Sequence, residues 1–240
     1  MQLTDRSIPA RDRLIFAMDV ADCDAARALA GRLGDAVSFY KIGLELMMSG
    51  GYFELLDWLL ARDKKVFCDL KFFDIPATVG SAVRQLKDRG ASFVTVHGNQ
   101  SIMEAAAGNK GATLRVLAVT VLTSLDRGDL DDLGFDCDVE ALVLSRARRA
   151  LQAGCDGVIA SGRELPALRA EIGPKLLVVT PGIRPVDNKP EGDQKRVVTV
   201  ERAFRGGADY IVVGRPIRDA ADPRAAAEAI QATIADTVGN

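Results

Sequence analysis

The chain has 240 residues, of which 48% are hydrophobic and 27% are charged, and its net charge is −2 at pH 7. This balance is typical of a water-soluble globular protein, and without a basic cluster nucleic acid is not expected as the main partner, because phosphate backbones are bound by basic patches. The longest apolar runs, such as VLAVTVL, are too short to span a bilayer, so no membrane role is expected either.

Eight short runs rich in β-branched and apolar residues recur along the chain. Each has the length and near-continuous apolarity of a parallel strand that is buried on both faces. In chain order they are RLIFAMD (13–19), FYKIGLEL (39–46), KVFCDLK (65–71), FVTVH (93–97), RVLAVTVL (115–122), GVIAS (157–161), LLVVTPGI (176–183) and YIVVGRPI (210–217).

Segments with helical spacing of apolar residues lie between these runs. They are DAARALAGRLG (24–34), FELLDWLLAR (53–62), PATVGSAVRQLKDRG (76–90), VEALVLSRARRALQAG (139–154), ELPALRAEIG (164–173), VERAFRGG (200–207) and PRAAAEAIQATIAD (223–236). Eight strands that alternate with helices predict an α/β fold, a (β/α)8 TIM barrel. The alternative is an open doubly wound sheet, but the G-x-G-x-x-G turn that would favour it is missing after the first strand.

The chain has no linker-like or low-complexity stretch, so the sequence predicts one domain over residues 1–240. Its polar N-terminus, MQLTDRSIPARDR, does not resemble a signal peptide. The four cysteines form no C-x-x-C pair, and the single histidine makes a built-in zinc site improbable. The expectation is a cytoplasmic protein with reduced thiols and no bound metal.

Charged residues stand where the first three predicted strands end. Asp19 ends the first strand, Lys41 lies in the second, and Asp69 and Lys71 end the third, with Asp74 just beyond. Catalytic residues of a TIM barrel lie at this face, and residues two apart on a strand point to the same side. Two ammonium and two carboxylate groups from neighbouring strands would form a nearly neutral array with a strong local field, which suits the stabilisation of charge that develops in a transition state. Each residue alone would also fit a surface ion pair.

The ends of the seventh and eighth predicted strands carry the sequences VTPGIRP and VVGRPI. These loops bind phosphate in many barrels. Gly182 and Gly214 allow close backbone approach, while Arg184 and Arg215 supply forked donors. The pair predicts a phosphate site, and the polar stretch VDNKPEGDQKR (186–196) predicts either a mobile lid over the ligand or a plain solvated loop.

Two other features have ordinary explanations. The Asp-rich stretch DRGDLDDLGFDCD (126–138) lacks the residue order of a calcium loop, so we expect a solvated loop with a short helical turn. His97 ends the fourth strand and could act as a general base, but a structural role is favoured because Asp69 and Lys71 already form the better-supported centre.

Together these motifs resemble those of the orotidine 5′-phosphate (OMP) decarboxylase family of bacterial type. DLKFFDIPATV (69–79) is similar to the family signature D-x-K-x-x-D-I-P-x-T, and FAMD, YKIGLEL, VTVHG, VTVLTS, VTPGIRP, GDQKR and VGRP follow in family order along the chain. The resemblance implies a carboxy-lyase that converts OMP to UMP and CO2 in de novo pyrimidine biosynthesis without any cofactor. It also implies a homodimer with shared active sites.

The resemblance assigns a role to each matching residue. Lys41, Asp69, Lys71 and Asp74 match the family's charged array, in which Lys71 would protonate C6. Asp74, with Ile75 and Thr78, would reach the neighbouring subunit's site. The substrate contacts implied for the other positions are ribose hydroxyls for Asp19 and Lys41, the pyrimidine edge for Thr123, base and phosphate for Gln194, and phosphate for Arg184, Gly214 and Arg215.

Three other functions remain open at this point. The nearest is a Mg2+-dependent sugar-phosphate decarboxylase or synthase of the same superfamily, which shares the D-x-K-x-x-D core but would not need Thr123 and Gln194. A barrel that only senses UMP would bind the nucleotide without turnover of OMP. A phosphosugar epimerase or isomerase would need a different acid and base arrangement.

Overall fold

Strands that are apolar along their whole length have to be covered on both faces, and here one face lines a closed barrel while the other packs against helices. The computed structural model describes residues 7–184 and 196–239. Eight parallel strands pair in chain order, and the last pairs with the first. The strands are β1 (Leu14–Ala17), β2 (Phe39–Gly43), β3 (Lys65–Phe72), β4 (Phe93–His97), β5 (Arg115–Val119), β6 (Gly157–Ile159), β7 (Leu177–Thr180) and β8 (Tyr210–Val213). The (β/α)8 barrel is thus confirmed, and the open sheet is excluded.

Helices surround the barrel and connect successive strands. They are α1 (Cys23–Leu33), α2 (Leu44–Ser49), α3 (Tyr52–Leu60), α4 (Pro76–Lys87), α5 (Gln100–Ala107), α6 (Arg127–Asp132), α7 (Val139–Gln152), α8 (Leu165–Ile172), α9 (Val200–Gly206), α10 (Arg215–Arg218) and α11 (Pro223–Val238). All seven predicted helices are present, and α4 begins at Pro76 as expected for a proline that needs no intrahelical partner. The short turn predicted in 126–138 is α6, whose N-terminus Asp126 caps.

The second strand is shorter than the sequence predicts. Residues 44–46 were predicted to continue it, but β2 ends at Gly43 and these residues begin α2. The run LEL is apolar enough to fit a strand, yet Leu44 is exposed while Leu46 is fully buried, which is the pattern of a helix face. The eighth strand likewise ends at Val213, and the predicted residues 215–217 belong to α10. Helix α5 was not predicted at all.

Aromatic rings fill the interior of the barrel at the amino ends of the strands. Phe93 is the centre of this cluster, with ring centroids 5.0 Å from Phe39, 5.2 Å from Tyr210 and 5.9 Å from Phe67. All four residues are buried and belong to the inner core of the barrel. Such a packed floor closes the amino end of the barrel, so that the interior of the barrel opens toward the carboxyl ends of the strands.

Within the two described segments, no helix has both the length and the apolar character needed to cross a bilayer. The prediction of one domain over residues 1–240 stays a prediction, since residues 1–6, 185–195 and 240 lie outside the described part of the chain.

Candidate active site

A cavity of about 410 Å³ opens at the carboxyl ends of the strands, which is within the usual range for a small-molecule site. Its wall contains eight of the predicted site residues, namely Asp19, Lys41, Asp69, Lys71, Thr123, Arg184, Gly214 and Arg215. The strands therefore bring together residues that are almost 200 positions apart in the chain. The cavity floor is apolar and includes Phe67.

Asp69 is the centre of the charged array. Its Oδ2 lies 2.9 Å from Nζ of Lys71 and 3.3 Å from Nζ of Lys41, and its Oδ1 accepts a hydrogen bond of 2.8 Å from the hydroxyl of Thr95. One buried carboxylate is thus shared by two ammonium groups. Lys41 also donates to Oδ1 of Asp19 at 3.0 Å, so the predicted ion pairs form a chain across β1, β2 and β3.

The electrostatics keep this array ionised. Burial alone would raise the pKa of Asp69, but the charges of Lys41 and Lys71, with hydrogen bonds from Lys71 and Thr95, outweigh it and hold that pKa below the usual value. Burial would likewise lower the pKa of Lys41, and the carboxylates of Asp69 and Asp19 instead raise it. Asp69 and Lys41 therefore stay charged although both side chains are buried.

Lys71 reaches the cavity by an irregular backbone rather than by the regular alternation of a strand. Its φ is +46°, and the register between β3 and β4 shifts between Cys68 and Phe72. A long side chain rarely adopts such a conformation. The hydroxyl of Thr95 accepts from the Lys71 amide at 3.0 Å while donating to Asp69, so one threonine holds both members of the pair.

Two residues of this site were missed in the sequence. Thr95 looks like an ordinary β-branched strand residue, and only its position as a polar group inside FVTVH hinted at a role. Arg218 lines the cavity and donates to the backbone oxygen of Asp19 at 2.7 Å. It lies in α10 near Arg215, so a scan for all arginines near the eighth strand would have found it.

The residues that the sequence assigns to phosphate binding, from the ends of β7 and β8, lie together in the cavity wall. Gly182 has φ +78°, a conformation that favours glycine, and it stands next to Arg184 in the cavity wall. Gly214 lies in close contact with β1, since an added Cβ would be 3.3 Å from that of Ala17 and 3.7 Å from Oδ2 of Asp19. The chain thus comes close to the cavity at both strand ends and leaves room for a ligand.

Of the remaining four predicted residues, three lie outside this wall. Asp74, Ile75 and Thr78 are exposed and do not line the cavity of their own chain. The fourth, Gln194, lies outside the described residues, as does nearly all of the predicted lid.

His97 does not line the cavity, and its ring centroid is 4.7 Å from that of Phe73. Burial, together with the charges of Arg146 and Lys71, lowers the pKa of His97 below its usual 6.5.

Since the chain has one histidine, NMR of protein without a histidine tag gives one imidazole signal. We expect this signal to titrate with a midpoint below 6.5, so that the ring is neutral at pH 7. A midpoint at or above 6.5 would contradict the burial of this side chain.

Comparison with known proteins shows the relatives of this chain. Residues 12–230 match the model of the "Orotidine 5′-phosphate decarboxylase / HUMPS family". An orotidine 5′-phosphate decarboxylase of Methylococcus capsulatus is 69% identical over 234 residues, which cover 98% of this chain and 96% of that protein. One from Xanthomonas oryzae pv. oryzae is 54% identical and covers 97% of this chain and 96% of its own.

A solved structure is similar as well. The crystal structure of orotidine 5′-phosphate decarboxylase from Lactobacillus acidophilus superposes with a TM-score of 0.82 at 34% identity. The match covers 93% of this chain and 99% of that chain.

Proposed function

The chain belongs to the orotidine 5′-phosphate decarboxylase / HUMPS family, and on that premise we propose that it converts OMP to UMP and CO2 in pyrimidine biosynthesis. The observation that carries the proposal is the carboxylate of Asp69, which two ammonium groups share inside the cavity. Such a group is suited to a reaction in which one negative charge leaves and another forms beside it.

The chemical step can be written in terms of these residues. The orotate carboxylate lies near Asp69, and the bond between C6 and the carboxyl carbon breaks, so that CO2 leaves and the electron pair stays on C6. The ammonium group of Lys71 then gives a proton to C6, and solvent returns a proton to Lys71. The net reaction consumes OMP and one proton and produces UMP and CO2.

Electrostatic placement supplies the stabilisation that a cofactor would otherwise provide. The ammonium group of Lys71 is held in the cavity wall by Asp69, and Thr95 holds the Lys71 backbone, so little reorganisation is needed when the carbanion forms. Departure of CO2 also relieves the contact between two like charges, those of the orotate carboxylate and Asp69.

The other cavity residues bind the remainder of the nucleotide. Asp19 and Lys41 bind ribose hydroxyls, and Thr123 contacts the pyrimidine edge. Arg184, Gly214 and Arg215 bind the phosphate, which is held by charge-assisted hydrogen bonds from the guanidinium groups. In this proposal Gln194 bridges base and phosphate.

The first test is an ultraviolet absorbance assay of the purified protein with OMP in the presence of EDTA. We expect loss of the orotate signal with formation of UMP, because no step of the proposed reaction uses a metal ion. No turnover of OMP, together with activity on a keto-sugar phosphate once Mg2+ is restored, would assign the chain to the metal-dependent branch of its family.

We further propose a homodimer in which each site takes Asp74 from the partner. Large apolar side chains are exposed around the end of β3 and in α2, with exposed fractions of 66% for Phe73, 66% for Ile75, 57% for Leu44 and 83% for Met48. Exposed apolar groups clustered in this way are typical of protein interfaces. Asp74 is exposed among them and outside its own cavity, which fits a residue that acts on a second copy.

Mixing two inactive variants tests the shared site. Lys71→Ala and Asp74→Ala homodimers should each be inactive, because every site lacks one of the two groups. After subunit exchange, half of the dimers are mixed, and each has one intact site, so activity should return to about a quarter of wild type. Recovery that stays near zero, although mass spectrometry shows mixed dimers, would place Lys71 and Asp74 in the same chain's site.

A further inference from the structure

Arg196 is a buried arginine that the proposed reaction does not use. It is 6% exposed and its Nη1 lies 2.7 Å from Oε1 of Glu164, which is 5% exposed. Glu164 stands between β6 and α8, whereas Arg196 comes shortly before α9. The ion pair therefore joins two of the loops at the carboxyl ends of the strands.

The other end of the guanidinium group holds the loop after β5. Nη2 of Arg196 donates to the backbone oxygens of Leu122 at 2.9 Å and Val121 at 3.3 Å. Both of these residues line the cavity, and Thr123 follows them in its wall. Arg196 is thus hydrogen-bonded to the backbone segment that leads to Thr123 in the cavity wall.

Two residues after Arg196, Val198 forms backbone hydrogen bonds with the cavity segment Gly182–Arg184, to which the proposal assigns the phosphate. Val198 donates its amide to the oxygen of Gly182 at 3.1 Å, and its own oxygen accepts from the amide of Arg184 at 3.0 Å. Val198 also packs closely against Gly162, where an added Cβ would lie 2.2 Å from its Cγ2. These bonds use only backbone atoms, so the phosphate side keeps them when the Arg196 side chain is changed.

Stability alone gives little reason to keep this pair. Burying two charges costs several kcal/mol per ion in general, and well-packed apolar residues often replace such a pair without loss. In addition, Oε2 of Glu164 and Nε of Arg196 are buried without a hydrogen-bond partner among the described residues. The bonds to Val121 and Leu122 are what apolar replacements could not supply.

We propose that Arg196, oriented by Glu164, is a positioning residue that holds the Val121–Thr123 backbone where it contacts the pyrimidine base. This inference rests on the proposed function for the identity of the ligand. Misplacement of a binding group by about 1 Å can cost roughly 100-fold in rate, so the effect should be large although Arg196 touches no substrate atom.

The test uses the double variant Arg196→Met/Glu164→Leu, which removes both charges together and so avoids leaving one of them buried and unpaired. We expect a melting temperature close to wild type, with kcat/KM for OMP lowered roughly 10- to 100-fold. Calorimetry should show affinity for UMP reduced at least about tenfold, while affinity for ribose 5-phosphate stays within about twofold, because the base-side wall alone has lost its support.

A second test uses the single variant Arg196→Lys, and Arg169→Lys is its matched control. Arg169 is also buried, pairs with Asp209 at 2.6 Å and holds backbone oxygens, but it does so at the opposite end of the barrel. Both variants should lower the melting temperature, and only Arg196→Lys should change the ratio of UMP to ribose 5-phosphate affinity. If the double variant does not fold, the affinity ratios of these two single variants show whether Arg196 positions the base-side wall.

The outcomes separate the two proposals. Wild-type turnover of OMP with an unchanged affinity ratio in the Arg196 variants overturns the positioning role and leaves the decarboxylase intact. Wild type that binds UMP without turnover refutes the decarboxylase, and the affinity ratio still decides the role of Arg196. Wild type that binds no UMP overturns both.

Discussion

Replacing Lys71 with alanine is expected to abolish measurable turnover of OMP while UMP still binds. Loss of a positioned proton donor costs roughly 10²- to 10⁴-fold, and loss of a charge aimed at the developing carbanion adds a comparable factor. Asp69 would keep Lys41 and Thr95 as partners, so the site should remain folded. Single-turnover kinetics with OMP and calorimetry with UMP would measure the two effects separately.

Lys65 provides a matched control on the same strand. It stands at the opposite end of β3, where its exposed side chain pairs with Asp12 at 2.8 Å. Exposed pairs contribute at most about 1 kcal/mol, so Lys65→Ala should be stable and retain full activity. Turnover by Lys71→Ala within about tenfold of wild type would remove Lys71 from the role of proton donor, since such a donor contributes more than that.

Arg215→Ala is expected to lower kcat as well as raise KM, although in the proposed reaction Arg215 binds the phosphate, far from C6. Hydrogen bonds to charged groups contribute about 1.5–3 kcal/mol each, so kcat/KM should fall on the order of 100-fold or more. Part of the phosphate's binding energy is used to position the base and exclude water, and its loss should therefore appear in kcat. Steady-state kinetics over a wide range of OMP concentration would separate the two constants.

The control for this variant is Arg224→Ala. Arg224 lies in α11 at the opposite end of the barrel, where it is exposed and pairs with Asp35 and Glu228. Its replacement removes the same charge without touching the cavity, so kinetics should be unchanged. An effect of Arg215→Ala on KM alone would show that phosphate binding does not assist the chemical step.

The sequence predicted the barrel because parallel strands buried on both faces are apolar along their length. That signal is strong for the existence of a strand and weak for its end, which is why Leu44–Leu46 was placed in β2. Where the chain turns into α2 depends on burial against neighbouring helices, and periodicity over three residues cannot show this. The charged residues at the ends of β1, β2 and β3 could be grouped from the sequence, because the carboxyl ends of parallel strands meet at one face of the barrel.

The parts of the site that were missed depend on contacts between distant positions. Thr95 holds Asp69 from the neighbouring strand, and Arg218 donates to the backbone oxygen of Asp19, 199 residues away. No spacing rule connects such pairs within one sequence. The irregular backbone at Lys71 was also not predictable, because KVFCDLK fits a regular strand and contains no glycine there.

The backbone conformation of Lys71 affects thermal stability and catalysis in different ways. A lysine at φ +46° costs about 1–3 kcal/mol that glycine would avoid. A screen for heat resistance alone would weigh this strain against the ion pair between Lys71 and Asp69, whereas growth without a supplied pyrimidine would depend on the lysine itself. The catalytic centre is the place where directed evolution for thermostability would trade activity for melting temperature, and stabilising changes are best sought on the outer helices.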